Sequence, residues 1–178
     1  MGVVQSIVTP HAPSKRAPNA SASLDTEALF GETVTVDECE NGFSHVVLGT
    51  DGYRGWMPSA CLGSMPDVTH QITVPHSFVT AGADVKSAGI SHLSLGARLH
   101  IYPCQVDHDK SPCVEIEFAG TSGFVARSHI SPLSSVCDDW VVVAESLIGS
   151  PYRWGGRAST GLDCSALVQL SMAVAGKA

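Results

Sequence analysis

The chain has 178 residues, room for one or two domains, and carries ten basic against seventeen acidic residues for a formal charge of −7. No basic stretch exists to neutralise phosphates, which argues against nucleic acid as a partner. With 44% hydrophobic residues the chain can bury a core, yet no apolar run reaches the ~18 residues that a membrane-spanning helix needs.

The N-terminus shows no basic segment ahead of a long apolar core, so no secretory leader and a cytoplasmic protein are expected. Met1-Gly2 followed by Ser6 fits a loose acylation pattern, but nothing basic nearby would reinforce an anchor, and an ordinary soluble start is the better reading. The six cysteines (Cys39, Cys61, Cys104, Cys113, Cys137 and Cys164) have no paired-ligand spacing, and reduced thiols are expected. Cys104, His108 and Cys113 flank an Asp-rich turn and come nearest to a zinc site. No fourth ligand is evident, so the reading is a structural hairpin, with no metal and no other cofactor.

An internal repeat organises the N-terminal part. Leu29-Phe30-Gly31-Glu32 leads into Thr33 to Val36, and Leu95-Gly96-Ala97 leads into Arg98 to Ile101. Aligning Gly31 with Gly96 places Val34 on Leu99 and Val36 on Ile101, in the apolar–polar alternation of a half-buried strand. Further on, the segment from Gly55 to Leu62 matches the segment from Gly123 to Ile130: glycine, an aromatic, an apolar residue, a small one, then a closing aliphatic. Phe43 to Leu48 and Cys113 to Phe118 read as further strands, and Asn41-Gly42, Asp51-Gly52 and Thr121-Ser122-Gly123 read as turns. Two small antiparallel β units follow, which at that size are expected to close into barrels. Their pattern resembles bacterial SH3-like modules. Plain scaffold and a targeting or substrate-gating role both stay open for them, with Phe43, Tyr53, Trp56 and Phe124 as candidate surface aromatics.

After Pro132 the character changes. Trp140, Val143, Ala144, Leu147 and Ile148 have the spacing of an amphipathic helix, opened by Asp138 and Asp139 and stopped by Gly149. A glycine-rich loop from Ser150 to Asp163 follows. A second helix begins at Cys164, with Leu167, Leu170 and Val174 on its apolar face and Gly176 as its stop.

A cysteine on the first turn of a helix sits where the helix favours an anion and where unpaired N–H groups can stabilise an oxyanion. Cys164 is therefore a candidate nucleophile; a small thiol that merely caps the core is the plain alternative. Gly156 and Gly161 have phosphate-loop spacing, but Leu162-Asp163 replaces the required Lys-Ser/Thr, and no Gly-x-Ser-x-Gly turn marks a serine hydrolase.

The run from Leu147 to Gly156, with Ser159, Gly161 and Asp163-Cys164-Ser165-Ala166-Leu167-Val168, closely resembles the NlpC-type cell-wall peptidase family. The resemblance implies a papain-like cysteine peptidase that cleaves peptidoglycan stem peptides, commonly after γ-linked D-glutamate, and SH3-like modules are usual company for it. It implies Cys164 as nucleophile, with Tyr152, Asp163 and Ser165 lining the cleft, where a carboxylate and a phenol hold the substrate's free amine and terminal alanine. Trp154, Gly155 and Gly156 shape the loop, and Arg153 and Arg157 receive no role. Ala166 stands where the family usually has glycine, and its methyl group is expected either to be harmless or to narrow the cleft.

The expected fold is mainly β in its N-terminal part, two small SH3-like barrels at 1–66 and 67–134, followed by the first helices of an α+β papain-like domain at 135–178. The implied partners are peptidoglycan stem peptides or muropeptides, with neither nucleic acid nor membrane. A cysteine peptidase also needs a histidine base. In the family it follows the cysteine, whereas all eight histidines here, His11 to His129, precede Cys164. The chain by itself is expected to be inactive or nearly so. The alternative is a non-catalytic peptidoglycan- or partner-binding SH3-like protein with a vestigial peptidase stub.

Overall fold

A computed structural model describes residues 2–84, 86–102, 111–135, 137 and 139–177. The first β unit comprises β1 (Val3–Ile7), β2 (His11–Lys15), β3 (Leu24–Leu29), β4 (Thr33–Glu40), β5 (Phe43–Leu48), β6 (Arg54–Pro58) and β7 (Leu62–Gly63). The second comprises β8 (His70–Ile72), β9 (His76–Thr80), β10 (Gly89–Ser94), β11 (Arg98–Leu99), β12 (Cys113–Phe118), β13 (Thr121–Ala126) and β14 (Ile130–Pro132). Helix α1 (Trp140–Ser146), the hairpin β15 (Arg157–Ala158) and β16 (Gly161–Leu162), and helix α2 (Cys164–Val174) complete the described chain.

The repeat read from the sequence is also a repeat of hydrogen bonds. In the first unit Gly31 N donates to Ile7 O and Ile7 N to Glu32 O. In the second, Gly96 N donates to Ile72 O and Ile72 N to Ala97 O. Gly31 and Gly96 share the left-handed backbone that makes this turn, at φ +77° and +84°. Strand order is the same as well. The first sheet runs β3-β2-β6-β5-β4-β1-β7, and the second unit reproduces it as two pieces, β10-β9-β13-β12 and β11-β8-β14.

Neither ladder closes on itself, so the expected barrels are open among the described residues. In the first unit the end strand β3 is covered by β15 packing against it, which hides an edge without closing a ring. A turn is also placed differently. Thr121, Ser122 and Gly123 lie inside β13, and the chain reverses at Ala119-Gly120, both at positive φ (50° and 76°), as a tight hairpin requires. Asn41-Gly42 turns in the same way, as expected.

Among the described residues, three apolar clusters hold the molecule. Ile7, Val34, Val46 and Met57 centre the first unit, and Ile72, Leu99, Val114 and Val125 centre the second. Phe30 belongs to the second core although it sits in the first unit, with its ring 5.5 Å from that of Phe118. The third cluster joins Leu29 and Leu95, one from each unit, to Val143, Leu147, Ala166, Leu170 and Val174. Phe30 and Leu95 hold equivalent places in the repeat, and each reaches forward into the next body along the chain.

Both helices begin where expected and α2 also ends there, but α1 stops at Ser146, short of Gly149; Leu170 and Val174 are buried as expected, whereas Leu167 is not. Val143 and Leu147 are buried, whereas Ile148 is 83% exposed, beyond the last turn of α1. On α2 the buried positions are Ala166, Leu170, Ser171 and Val174, while Leu167 and Val168 face solvent. A stripe set by Ala166 fits because the β units supply Leu29 and Leu95 on that side. Among the described residues, no helix is long and apolar enough to cross a membrane.

Candidate active site

Asp163 sets the geometry around Cys164. It is the N-cap of α2: its Oδ1 accepts from Ala166 N at 2.7 Å and from Ser165 Oγ at 2.7 Å. Its Oδ2 accepts from Gly155 N at 3.2 Å, and its own N–H donates to Gly156 O at 3.0 Å. The residue before the candidate nucleophile is thus tied on one side to the helix and on the other to the preceding loop. Cys164 is exposed on the first turn, as are Ser165 and the Tyr152 side chain.

The loop itself is a compact double-back. Arg153 N donates to Leu162 O, Leu162 N to Pro151 O and Gly156 N to Arg153 O, while β15 pairs with β16. Gly155, at φ +69°, lies so close to the first unit that an added Cβ would stand 2.9 Å from Asp25 O. Asp25 is in turn paired at 2.6 Å with exposed Arg16, and that hydrogen bond raises the Arg16 guanidinium above its usual pKa.

The four residues assigned from the resemblance come together in one short stretch. Tyr152 is bridged to Leu162 and lies 68% exposed at the loop's start, and Asp163, Cys164 and Ser165 make the turn into α2. Asp163 and Ser165 are bonded to each other and to the cap, whereas Tyr152 projects into solvent. Ala166 does not narrow the cleft: its methyl is buried in the third cluster, 1% exposed. Among the described residues, no hydrogen-bond partner meets the Cys164 sulfur. The described cysteines are all free thiols, and among the described residues no group of His, Cys, Asp and Glu is arranged to hold a metal. Cys104 and His108, like Asp138, lie outside the described residues.

Sequence reasoning missed the charged anchor beneath the loop. Glu27 and Glu32 belong to the first unit and are almost completely buried. Arg157 donates through Nη1 and Nη2 to Glu32 at 3.1 Å each, through Nη1 to Glu27 O at 2.9 Å, and through its main-chain N–H to Glu27 Oε2 at 3.0 Å. Arg153 Nη1 donates to Glu27 Oε1 at 2.8 Å. The available signal was the repeat: Glu27, in β3, and Glu32, in the turn that follows it, fall where the second unit has His92 and Ala97. The second unit holds the loop by neutral bonds instead, with Ser159 N on Ser94 Oγ at 2.8 Å and His76 Nδ1 on Ser159 Oγ at 3.0 Å.

This fold and cysteine turn belong to a known class. Residues 149–177 match the NlpC/P60 family, and residues 15–62 match the bacterial dipeptidyl-peptidase Sh3 domain. These two matches support an NlpC-type peptidase segment with a bacterial SH3 domain in front of it. Its relatives include the γ-D-glutamyl-L-lysine dipeptidyl-peptidase of Bacillus subtilis, 26% identical over 156 residues, a match that covers 80% of this chain and 50% of that protein. The chain therefore spans half the length of that curated relative. The fold is shared with the crystal structure of an NlpC/P60 family protein from Bacillus cereus, at TM-score 0.79 and 18% identity, over 98% of this chain and 73% of that one. It is shared also with an NlpC/P60 endopeptidase from Photobacterium damselae, at TM-score 0.68 and 14% identity, over 99% of this chain and 43% of that one.

Proposed function

We propose that this chain acts as a thiol peptidase on peptidoglycan stem peptides, cutting the bond between γ-D-glutamate and the diamino acid that follows it, with Cys164 as nucleophile. The observation that carries this reading is an exposed thiol on the first turn of α2, inside the stretch that matches the peptidase family. The sulfur attacks the γ-glutamyl carbonyl carbon, and the C–N bond breaks as the amine leaves with a proton. Water then cleaves the thioester, releasing the glutamyl acid and restoring the thiol. The helix leaves its first N–H groups without helical partners. Asp163 takes that of Ala166, and those of Cys164 and Ser165 remain for the oxyanion. Tyr152 offers a phenol, and Asp163 a negative charge, to the substrate's free amine end.

Deprotonating the thiol needs a base, and none of the described imidazoles is hydrogen-bonded to Sγ. We accordingly expect the 178 residues alone to be inactive or nearly so. The deciding experiment does not need turnover. L-Ala-γ-D-Glu carrying a diazomethyl ketone at the scissile position should alkylate Cys164 in preference to exposed Cys39 and Cys137. Free L-Ala-γ-D-Glu-L-Lys or its diaminopimelate counterpart should slow that labelling. Equal labelling of the three thiols, unaffected by peptide, would overturn the reading. Peptide binding without selective labelling would favour a binding module carrying a vestigial site. Turnover that disappears in Cys164→Ala would support the nucleophile and refute the expected inactivity of the 178 residues.

A further inference from the structure

We infer that Arg157, held by Glu32 and Glu27 of the first β unit, is a positioning residue for the Cys164 turn, so that the SH3-type unit forms part of the catalytic framework. The inference rests on Cys164 being the reacting group. It starts from a cost: a buried carboxylate or guanidinium is strongly unfavourable unless paired and hydrogen-bonded. Glu27 is 0% exposed, and the side chains of Glu32 and Arg157 are 5% and 7% exposed. Each finds its partner across the junction between the β unit and the loop. Arg157 makes a two-pronged pair with Glu32, and Glu27 receives both the Arg157 main-chain N–H and Arg153. Glu32 Oε2 also accepts from Leu29 N at 2.8 Å, which fixes the carboxylate before the loop arrives.

The hold reaches the sulfur in two short steps. Arg157 follows directly on Gly155 and Gly156, the two residues that bond to Asp163 through its side chain and its main-chain N–H. Asp163 caps α2 and directly precedes Cys164. A shift of Arg157 therefore moves the cap, and a moved cap changes where the thiol stands relative to the helix N–H groups. The anchor is ionic and forked, so it fixes orientation as well as distance.

The test uses site-resolved iodoacetamide labelling of the intact chain, read by peptide mass spectrometry. Glu32→Gln and Arg157→Gln should each change the labelling rate of Cys164 by about fivefold, the size of coupling that contacting residues show, while Cys39 and Cys137 keep their rates. The double variant should be no worse than Arg157→Gln alone, and Glu32→Asp, which keeps the carboxylate, should return to within about twofold of the parent. Parallel changes at all three cysteines, or no change at Cys164 in a folded variant, would overturn the inference. Amide exchange in the unaltered protein decides the matter if the variants do not fold. The N–H groups of Gly156, Leu162 and Asp163 should be protected as well as those of β5, and rapid exchange there would overturn it. Because the readout is thiol chemistry and exchange, this inference can fail while the peptidase reading stands, and the reverse holds too.

Discussion

The two β units share strand order, a glycine turn and a matching set of main-chain bonds, yet they hold the loop that precedes Cys164 by different chemistry. The first grips it with the buried carboxylates of Glu27 and Glu32, paired with buried Arg157 and half-exposed Arg153. The second touches it through Ser94 and the His76 ring on Ser159, and reaches helix α2 through Gln71 Nε2 on Val174 O. One scaffold has thus been given two interfaces by changing a few outward positions. A conserved backbone frame leaves those side chains free to differ, because its own hydrogen bonds do not involve them.

The largest break in this symmetry is expected at the paired glycines. An alanine at Gly31 would collide with the Arg98 carbonyl, while one at Gly96 would meet movable side-chain ends, the nearest being Leu170 Cδ2 at 3.3 Å. Gly31→Ala should cost above about 4 kcal/mol, in the exceptional class of single substitutions. Gly96→Ala should cost about 1–2 kcal/mol for its left-handed backbone. Denaturant unfolding of both variants checks the order, and equal losses would deny that Gly31 is pressed against the second unit.

Next comes the contrast of charge with neutral bonds. Arg157→Ala leaves two buried carboxylates short of a partner and should lower stability by about 3–5 kcal/mol. Gln71→Ala removes one neutral bond and should cost about 1 kcal/mol. Thermal melts of the two variants would sharpen the comparison, and a similar loss in both would mean that the ionic anchor is not special.

Acid should act on the second unit first. Burial, and then the neighbouring His76 and His11, hold the His92 imidazole below its ordinary pKa, and His76 stacks on it at 4.6 Å. His70 is lowered by burial and then by His100. The folded state therefore binds fewer protons than the unfolded chain in the window below the ordinary histidine value. Stability should be complete above about pH 6.5 and fall as the pH drops through the lowered folded values. Melting curves taken across that window should slope less in His92→Gln, and an unchanged slope in both His92→Gln and His70→Gln would remove the assignment. The smallest effect is expected at Ser159→Ala, about 1 kcal/mol or less, read in the same melts.

Much of this was legible in the sequence because period and glycine placement are local signals. Phe43–Leu48 and Cys113–Phe118 are strands over the residues expected, and α2 begins at Cys164 as read. The turn at Ala119-Gly120 was hidden because alanine gives no hint of positive φ, whereas Asn41-Gly42 announces it. The buried face of α2 was misjudged by one position, since Leu167 and Ala166 are both apolar and only the partners Leu29 and Leu95 decide between them. The ionic anchor was out of reach because Arg157 and Glu32 lie 125 residues apart, and nothing local to either names the other.

Phe30 carries a consequence for how such a chain can be cut or recombined. The ring belongs to one unit by sequence and to the next by packing. A fragment that stops at the end of the first unit would carry a bare phenyl into water, and the fragment that follows would hold an empty socket beside Phe118. The pair behaves as a plug and its receptacle, and an exchange of one unit between related genes succeeds only if the newcomer brings a matching fit.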